Sequence, residues 1–159
     1  MNKERILIDK KAIAIVGIVG IPSSYGGFET LAENLVRFRE ANIGNMKIVV
    51  YCSSSHYRQR RPSYKGANLK YIFLPANGIA SIFYDGLSLI SAVLLKIDRI
   101  VLLGISGAIF LPVIRLLSDV KIVTNIDGIE WKRQKWQGLA RVFLKYSEKI
   151  AIKYSHKII

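Results

Sequence analysis

Residues 12–30 read AIAIVGIVGIPSSYGGFET. Ala12–Val16 is a short continuous apolar run ended by Gly17, the pattern of a strand buried on both faces. Phe28–Glu40 follows as a helix, with Leu31, Leu35 and Phe38 at helical spacing and Glu33, Arg37, Arg39 and Glu40 on other faces. Between them Gly17, Gly20, Gly26 and Gly27 stand at G-x2-G-x5-G-G, stiffened by Pro22. Such a turn frees the backbone for steep changes of direction. It also aims the helix N-terminus at whatever approaches, which favours an anion. Glu29 and Thr30 fit first-turn capping.

By spacing alone the turn is an ambiguous phosphate cradle. A dinucleotide fingerprint needs G-x-G-x-x-G and an acid closing the second strand. The second strand, Lys47–Cys52, runs into Ser53-Ser54 with no acid. No G-K-[ST] follows the turn, which excludes a P-loop.

Outward from this unit, strands and helices alternate. Leu69–Leu74, Ile100–Leu103 and Lys121–Ile126 read as strands, and Lys157–Ile159 as the start of a sixth. Ser81–Leu95, Ala108–Leu117 and 136–154 read as helices, with Pro112 in the first turns of the second of these. Ser53–Gly66 reads as a polar, basic loop. The pattern predicts an α/β domain over residues 1–159: a doubly wound, mostly parallel Rossmann-like sheet.

Composition narrows the function classes. Lys and Arg total 24 against 11 Asp and Glu, a net charge of +13. That imbalance points to an anionic partner: phosphate, nucleic acid or an acidic membrane surface. A plain solvated basic surface accounts for it as well. Single Cys52 excludes an internal disulfide and suits a reducing cytoplasm. One Cys with the distant His56 and His156 makes no metal site. The basic and then apolar N-terminus resembles a signal peptide, but no small-residue cleavage site follows. The uncharged run 100–114 is shorter than the ~20 residues of a spanning helix and carries two glycines and a proline.

The fifth strand empties into NIDGIEWKRQKW, residues 125–136. Ligands of doubly wound sheets bind at the carboxyl ends of the strands. Asp127, Glu130, Trp131, Lys132, Arg133, Lys135 and Trp136 crowd this loop. Trp faces suit sugar rings; equally, the two tryptophans can staple the loop to the last helix while Glu130 pairs with a neighbouring cation.

Here the chain resembles the N-terminal domain of bacterial family 4 glycosyltransferases, in the rhamnosyltransferase-like branch that builds polysaccharides. The matching stretches are GIPSSYGGFET (20–30), VYCSSSHY (50–57), YKGANLKYIFLP (64–75), NIDGIEWKRQKW (125–136) and KYSEKIAIKYSHKII (145–159). They span nearly the whole chain after its first ten residues. The resemblance implies a GT-B fold, of which this chain is the acceptor-side half and the donor-binding domain a separate, C-terminal one outside it. It implies a retaining, metal-independent transferase with no cofactor. Its donor substrate would be a nucleoside-diphosphate sugar, carrying rhamnose or another hexose. The acceptor would be a glycan or lipid-linked saccharide.

By the same resemblance Gly20, Gly26 and Gly27 form a loop approaching the donor diphosphate. Asp127 is the first candidate for orienting the acceptor hydroxyl or taking its proton, and Glu130 the second. Trp131, Lys132 and Arg133 would meet acceptor or phosphate. The branch usually shows Thr-Arg-Gly-Ile-Pro where this chain has Ile18-Val19-Gly20-Ile21-Pro22, so Val19 replaces a cation.

Arg141, Lys145, Lys149, Lys153 and Lys157 recur every four residues and form a basic stripe, while Leu139, Val142, Phe143, Tyr146, Ile150 and Tyr154 take the other side, which is expected to pack in the core. That stripe suits solvation or an anionic membrane. The lipid-linked acceptors common in the family the chain resembles imply a cytoplasmic location at the inner membrane face. Two other functions stay open: a non-catalytic module docking glycan or membrane beside a partner domain, and a basic nucleic-acid-binding domain using Tyr57, Arg58, Arg60, Arg61, Tyr64 and Lys65.

Overall fold

A computed structural model of the chain describes residues 12–24, 26–42, 46–126, 128, 130–132, 134 and 137–159. Its strands are β1 (Ala12–Val16), β2 (Lys47–Ser53), β3 (Ser63–Tyr64), β4 (Ala67–Ile72), β5 (Arg99–Leu103), β6 (Lys121–Asn125) and β7 (Lys157–Ile158). Its helices are α1 (Gly27–Asn42), α2 (Ala80–Leu94), α3 (Leu111–Leu117) and α4 (Gly138–Tyr154). The seven strands form one sheet in the order β3-β4-β2-β1-β5-β6-β7. All neighbours are parallel except β3 and β4. This is the α/β, Rossmann-like doubly wound fold that the alternation predicts.

The chain leaves β1 towards β2 and β4, then returns through α2 to β5 and continues outward to β7. The direction reverses between β1 and β5, which are hydrogen-bonded neighbours. Right-handed crossovers then put α1 on one face and α2, α3 and α4 on the other. The two cores reflect this. Leu89 and Ala92 of α2, Leu111 and Ile114 of α3, and Leu144, Ile150 and Ala151 of α4 pack with Ala14, Leu102 and Ile122. Ala32 and Val36 of α1 pack with Ile15, Ile48 and Val50 on the far side. Each fully buried Leu or Ile contributes about 1.5–3 kcal/mol.

Three sequence expectations change. The basic loop 53–66 contains an extra strand, β3. Lys65 and Gly66, with φ of 45° and 75°, form the two-residue turn that folds it back antiparallel onto β4. The helix expected from Ala108 begins instead as a 3-10 turn, Ser106–Phe110, with Pro112 at the start of α3. On α4 the buried side is Leu144, Ser147, Ile150 and Ala151. Small Ser147 and Ala151, both fully buried, let α4 sit close to its neighbours. That rotation leaves Leu139, Val142 and Tyr146, expected in the core, largely exposed.

The join between α2 and the 3-10 turn is polar. Asp85 is buried and accepts a 2.6 Å hydrogen bond from Ser106 Oγ and another from the Gly107 amide. A Cβ on Gly107 would lie 2.6 Å from that of Asp85, so the two segments touch where no side chain intervenes. Burial pushes the Asp85 carboxyl up to about 7, partly offset by these two bonds. A raised carboxyl pKa means the folded state holds its proton more tightly than the unfolded one. The resulting stabilisation is complete below about pH 4 and is lost as pH rises towards 7. Asp85→Asn is expected to flatten this dependence, removing a loss on the order of 2–4 kcal/mol between pH 4 and 8. Urea unfolding of both proteins across that range checks it; an unchanged slope contradicts the assignment.

Candidate functional site

The glycine turn is mostly interior. Ile18, Val19 and Ile21 are buried. Gly17 has φ 91°, and a Cβ there would lie 2.1 Å from the Leu103 carbonyl oxygen. Only glycine lets the end of β1 approach the end of β5 so closely. Gly20 has φ 140°, and its missing side chain makes room for Tyr57 and Cys52, whose nearest atoms lie 2.7 and 2.8 Å from a built Cβ. Packing against these two residues is reason enough for glycine at position 20.

Two carboxylates of α1 hold the turn. Glu29 accepts the Val19 amide at 3.0 Å, and Glu33 accepts the Ser23 amide at 2.8 Å. Glu33 also receives bonds from Tyr64 Oη at 2.8 Å and Arg37 at 2.6 Å. The Ser23 amide, the Tyr64 hydroxyl and Arg37 together hold its carboxyl down at about 2. Across the turn, Ser53 donates its amide to the Val19 carbonyl and Tyr57 its hydroxyl to the Pro22 carbonyl.

This reverses the sequence reading of α1. Glu29 and Glu33 are buried beside Ala32 and Val36, while Leu31, Leu35 and Phe38 are the exposed set. Amides in an interior turn need acceptors, and that need outweighs the burial of leucine. Glu29 therefore reaches beyond its own helix end, while Thr30 bonds locally through its hydroxyl to the Gly26 carbonyl. Val19, where the resembling branch carries a cation, is a buried apolar residue.

Gly26 and Gly27 remain exposed. Nothing lies within 4 Å of a Cβ built on Gly27, whereas Glu29 Oε2 lies 2.4 Å from one on Gly26. An anion reaching this pair meets open backbone at Gly27 and a carboxylate beside Gly26.

Phe28, which follows the pair, lines a cavity of about 580 Å³ at the carboxyl edge of the sheet. It sits where the strand order reverses. Gly17 closes β1, Gly104 closes β5 and Ile126 follows β6, and all three line it. The remaining wall is chiefly apolar, with Phe28, Ile79, Ile82, Phe143 and Leu144, punctuated by Asn77, Ser81 and Ser106. Apolar walls with a few placed polar groups, at a topological switch point, are the usual form of a small-molecule site. Ser106 joins the cavity to Asp85, since this lining residue donates its hydroxyl to the Asp85 carboxylate.

The model of the family described as domain of unknown function (DUF1972) matches residues 10–159. The chain belongs to this family. The DUF1972 domain is known in glycosyltransferase-associated proteins. No curated protein matches the chain.

The second predicted loop of this DUF1972 chain meets the cavity at Ile126. Asp127, Arg133 and Trp136 lie outside the described residues, and of Glu130 only the backbone is described, in a short 3-10 turn with Trp131 and Lys132. Trp131 is half-buried against the larger core. Lys132 Nζ, the Arg141 guanidinium and Lys145 Nζ lie 5.5, 5.7 and 5.1 Å from its ring. Arg141 and Lys145 belong to α4, so Trp131 does staple the loop to that helix. Among the described residues no group of His, Cys, Asp and Glu could hold a metal.

Phe28, Asn77, Ser106 and Asp85 escape sequence reasoning. One signal was available: Asp85 is the only charged residue in α2. Glu33→Gln is expected to cost about 1–2 kcal/mol at pH 7, by weakening charge-assisted bonds to a part-buried amide and hydroxyl. The lowered folded pKa makes the native advantage complete above about pH 4.5 and lost as pH falls towards 2. Denaturant midpoints of both proteins at pH 7 and pH 3 test this; a gap that widens on acidification contradicts it.

Proposed function

We propose that the chain is the acceptor-binding half of a retaining glycosyltransferase that moves a sugar from a nucleoside diphosphate to a glycan or lipid-linked saccharide. The observation that carries this reading is the cavity at the β1–β5 switch point, lined by Phe28, which follows Gly26–Gly27 in the chain, and by Ile126, which precedes Asp127. Its apolar walls and few hydroxyl and amide groups suit the faces and edges of a saccharide. The occurrence of the DUF1972 domain in glycosyltransferase-associated proteins supports the same class.

In the proposed reaction the acceptor hydroxyl forms a bond to the sugar's C1 on the same face from which the diphosphate leaves, as the C1–oxygen bond to the diphosphate breaks, so the configuration at C1 is retained. The diphosphate carries away the electron pair, and the hydroxyl proton passes to a base. Asp127 is the residue proposed to orient that hydroxyl or take its proton, with Glu130 as the second candidate. The exposed Gly27 backbone at the start of α1 is where a diphosphate could approach, and most of its charge would be met by the donor-binding domain. Rhamnose, the polysaccharide product and the inner membrane face are the finer proposals that follow from the sequence resemblance.

In the full-length protein Asp127→Asn is expected to lower kcat by about 100-fold or more with little change in donor KM. Unchanged turnover removes Asp127 from the mechanism. Ala140→Trp, at the solvent end of the cavity wall, is expected to raise acceptor KM by about tenfold while kcat holds. Multiple-turnover sugar transfer by the 159-residue chain alone contradicts the half-enzyme reading.

A further inference from the structure

Helix α2 carries an unusual outer surface. Its sole charged residue, Asp85, points inward and is buried. Every exposed position along it is apolar: Phe83 is 60% exposed, Leu87 47%, Ile90 40% and Leu94 76%. Ile79, just before the helix, is 80% exposed and extends the stripe to the cavity rim. The spacing of 4, 4, 3 and 4 residues keeps all five on one helical face. Beside it, α3 exposes Val113, Leu116 and Leu117. On α1, by contrast, exposed Leu31 and Leu35 alternate with Asn34, Arg37 and Glu40.

No charged residue enters the exposed stripe of α2, and cations lie past its C-terminal end and on α3. Lys96 and Arg99 follow α2, Arg115 lies on α3 and Lys121 follows it, all exposed, and they outnumber exposed Asp98 and Asp119. Next along the same side of the sheet, α4 adds exposed Lys145, Lys149 and Lys153. Glu29, Glu33 and Asp85 are buried, so three of the chain's eleven carboxylates do not offset these cations at the surface.

We propose that the α2–α3 face is the surface by which this protein enters an anionic lipid interface, with α2 lying in the membrane plane and Phe83, Leu87 and Leu94 in the acyl boundary. An apolar face with cations beside it matches a bilayer surface in both respects: acyl chains take the apolar side chains and acidic head groups take the neighbouring cations. A second copy would bring the same cations together between two chains of charge +13. At 15 residues α2 is about 22 Å long, short of the ~30 Å hydrocarbon core, and its other side is committed to the sheet. Among the described residues no helix is long and apolar enough to cross a membrane. With α2 in the plane, Ile79 brings the mouth of the cavity to the lipid surface. Lipid binding here requires no sugar transfer, so its failure leaves the glycosyltransferase reading standing, and the reverse holds too.

The test uses environment-sensitive thiol labels on the 159-residue chain. The native Cys52 is buried, and burial pushes its thiol up to about 11, so an introduced surface cysteine labels selectively. Labels at Leu87→Cys and Leu94→Cys are expected to shift to the blue with phosphatidylcholine vesicles containing phosphatidylglycerol, and much less with phosphatidylcholine alone. A label at Glu40→Cys, on α1 across the sheet, is expected to stay unshifted. The combined Phe83→Gln, Leu87→Gln, Leu94→Gln protein is expected to lose about tenfold or more in vesicle partitioning. No binding to the anionic vesicles overturns the proposal. So does binding that leaves both α2 labels unshifted, which makes the interaction one of basic residues alone. A blue shift that appears without vesicles and grows with protein concentration also overturns it, in favour of a second copy.

Discussion

The contact between Gly17 and the Leu103 carbonyl is the constraint from which the rest of the site follows. It lets the end of β1 rest against the end of β5 with no side chain between them. Those strands are neighbours across the reversal of strand order, so the chain diverges on either side and leaves a cavity at their carboxyl ends. A turn that begins this deep must continue inside the protein, and its amides must find acceptors there. Glu29 and Glu33 supply them. The turn is thereby held in place, and it touches the cavity at its two ends, Gly17 and Phe28.

Burying carboxylates has a second consequence, at the surface. Glu29, Glu33 and Asp85 each satisfy backbone or hydroxyl donors in the interior. Charge on the described surface is thus carried disproportionately by lysine and arginine. Around α2 and α3 that charge frames an apolar face, and along α4 it gathers over Trp131. The same side of the molecule holds the apolar cavity rim at Ile79 and Leu139. Ile79 belongs both to the cavity lining and to the exposed apolar stripe of α2, so the two features join there.

Much of the fold was legible because it is encoded locally. Uninterrupted apolar runs at Ala12–Val16 and Ile100–Leu103 gave buried parallel strands, and alternation with helical periods gave the crossovers. What was missed depended on partners distant in the chain. Leu31, Leu35 and Phe38 have the spacing of a core face, yet α1 turns Glu29 and Glu33 inward because the glycine turn presents amides there. Leu139, Val142 and Tyr146 likewise have helical spacing, but the small side chains at Ser147 and Ala151 decide which side of α4 fits its neighbours. The hairpin of β3 was readable in principle, since Lys65–Gly66 sits between residues able to pair.

The sequence by itself determined the class of fold, a net charge of +13 and the two loops that follow the ends of β1 and β6. These follow from periodicity, charge count and the rule that strand ends in doubly wound sheets face one way. Only the tertiary structure decided which carboxylates are interior, which leucines are left outside and where the cavity lies. Those outcomes depend on amides, carbonyls and side chains brought together by the reversal between β1 and β5, and no local pattern in the chain specifies which of them will meet.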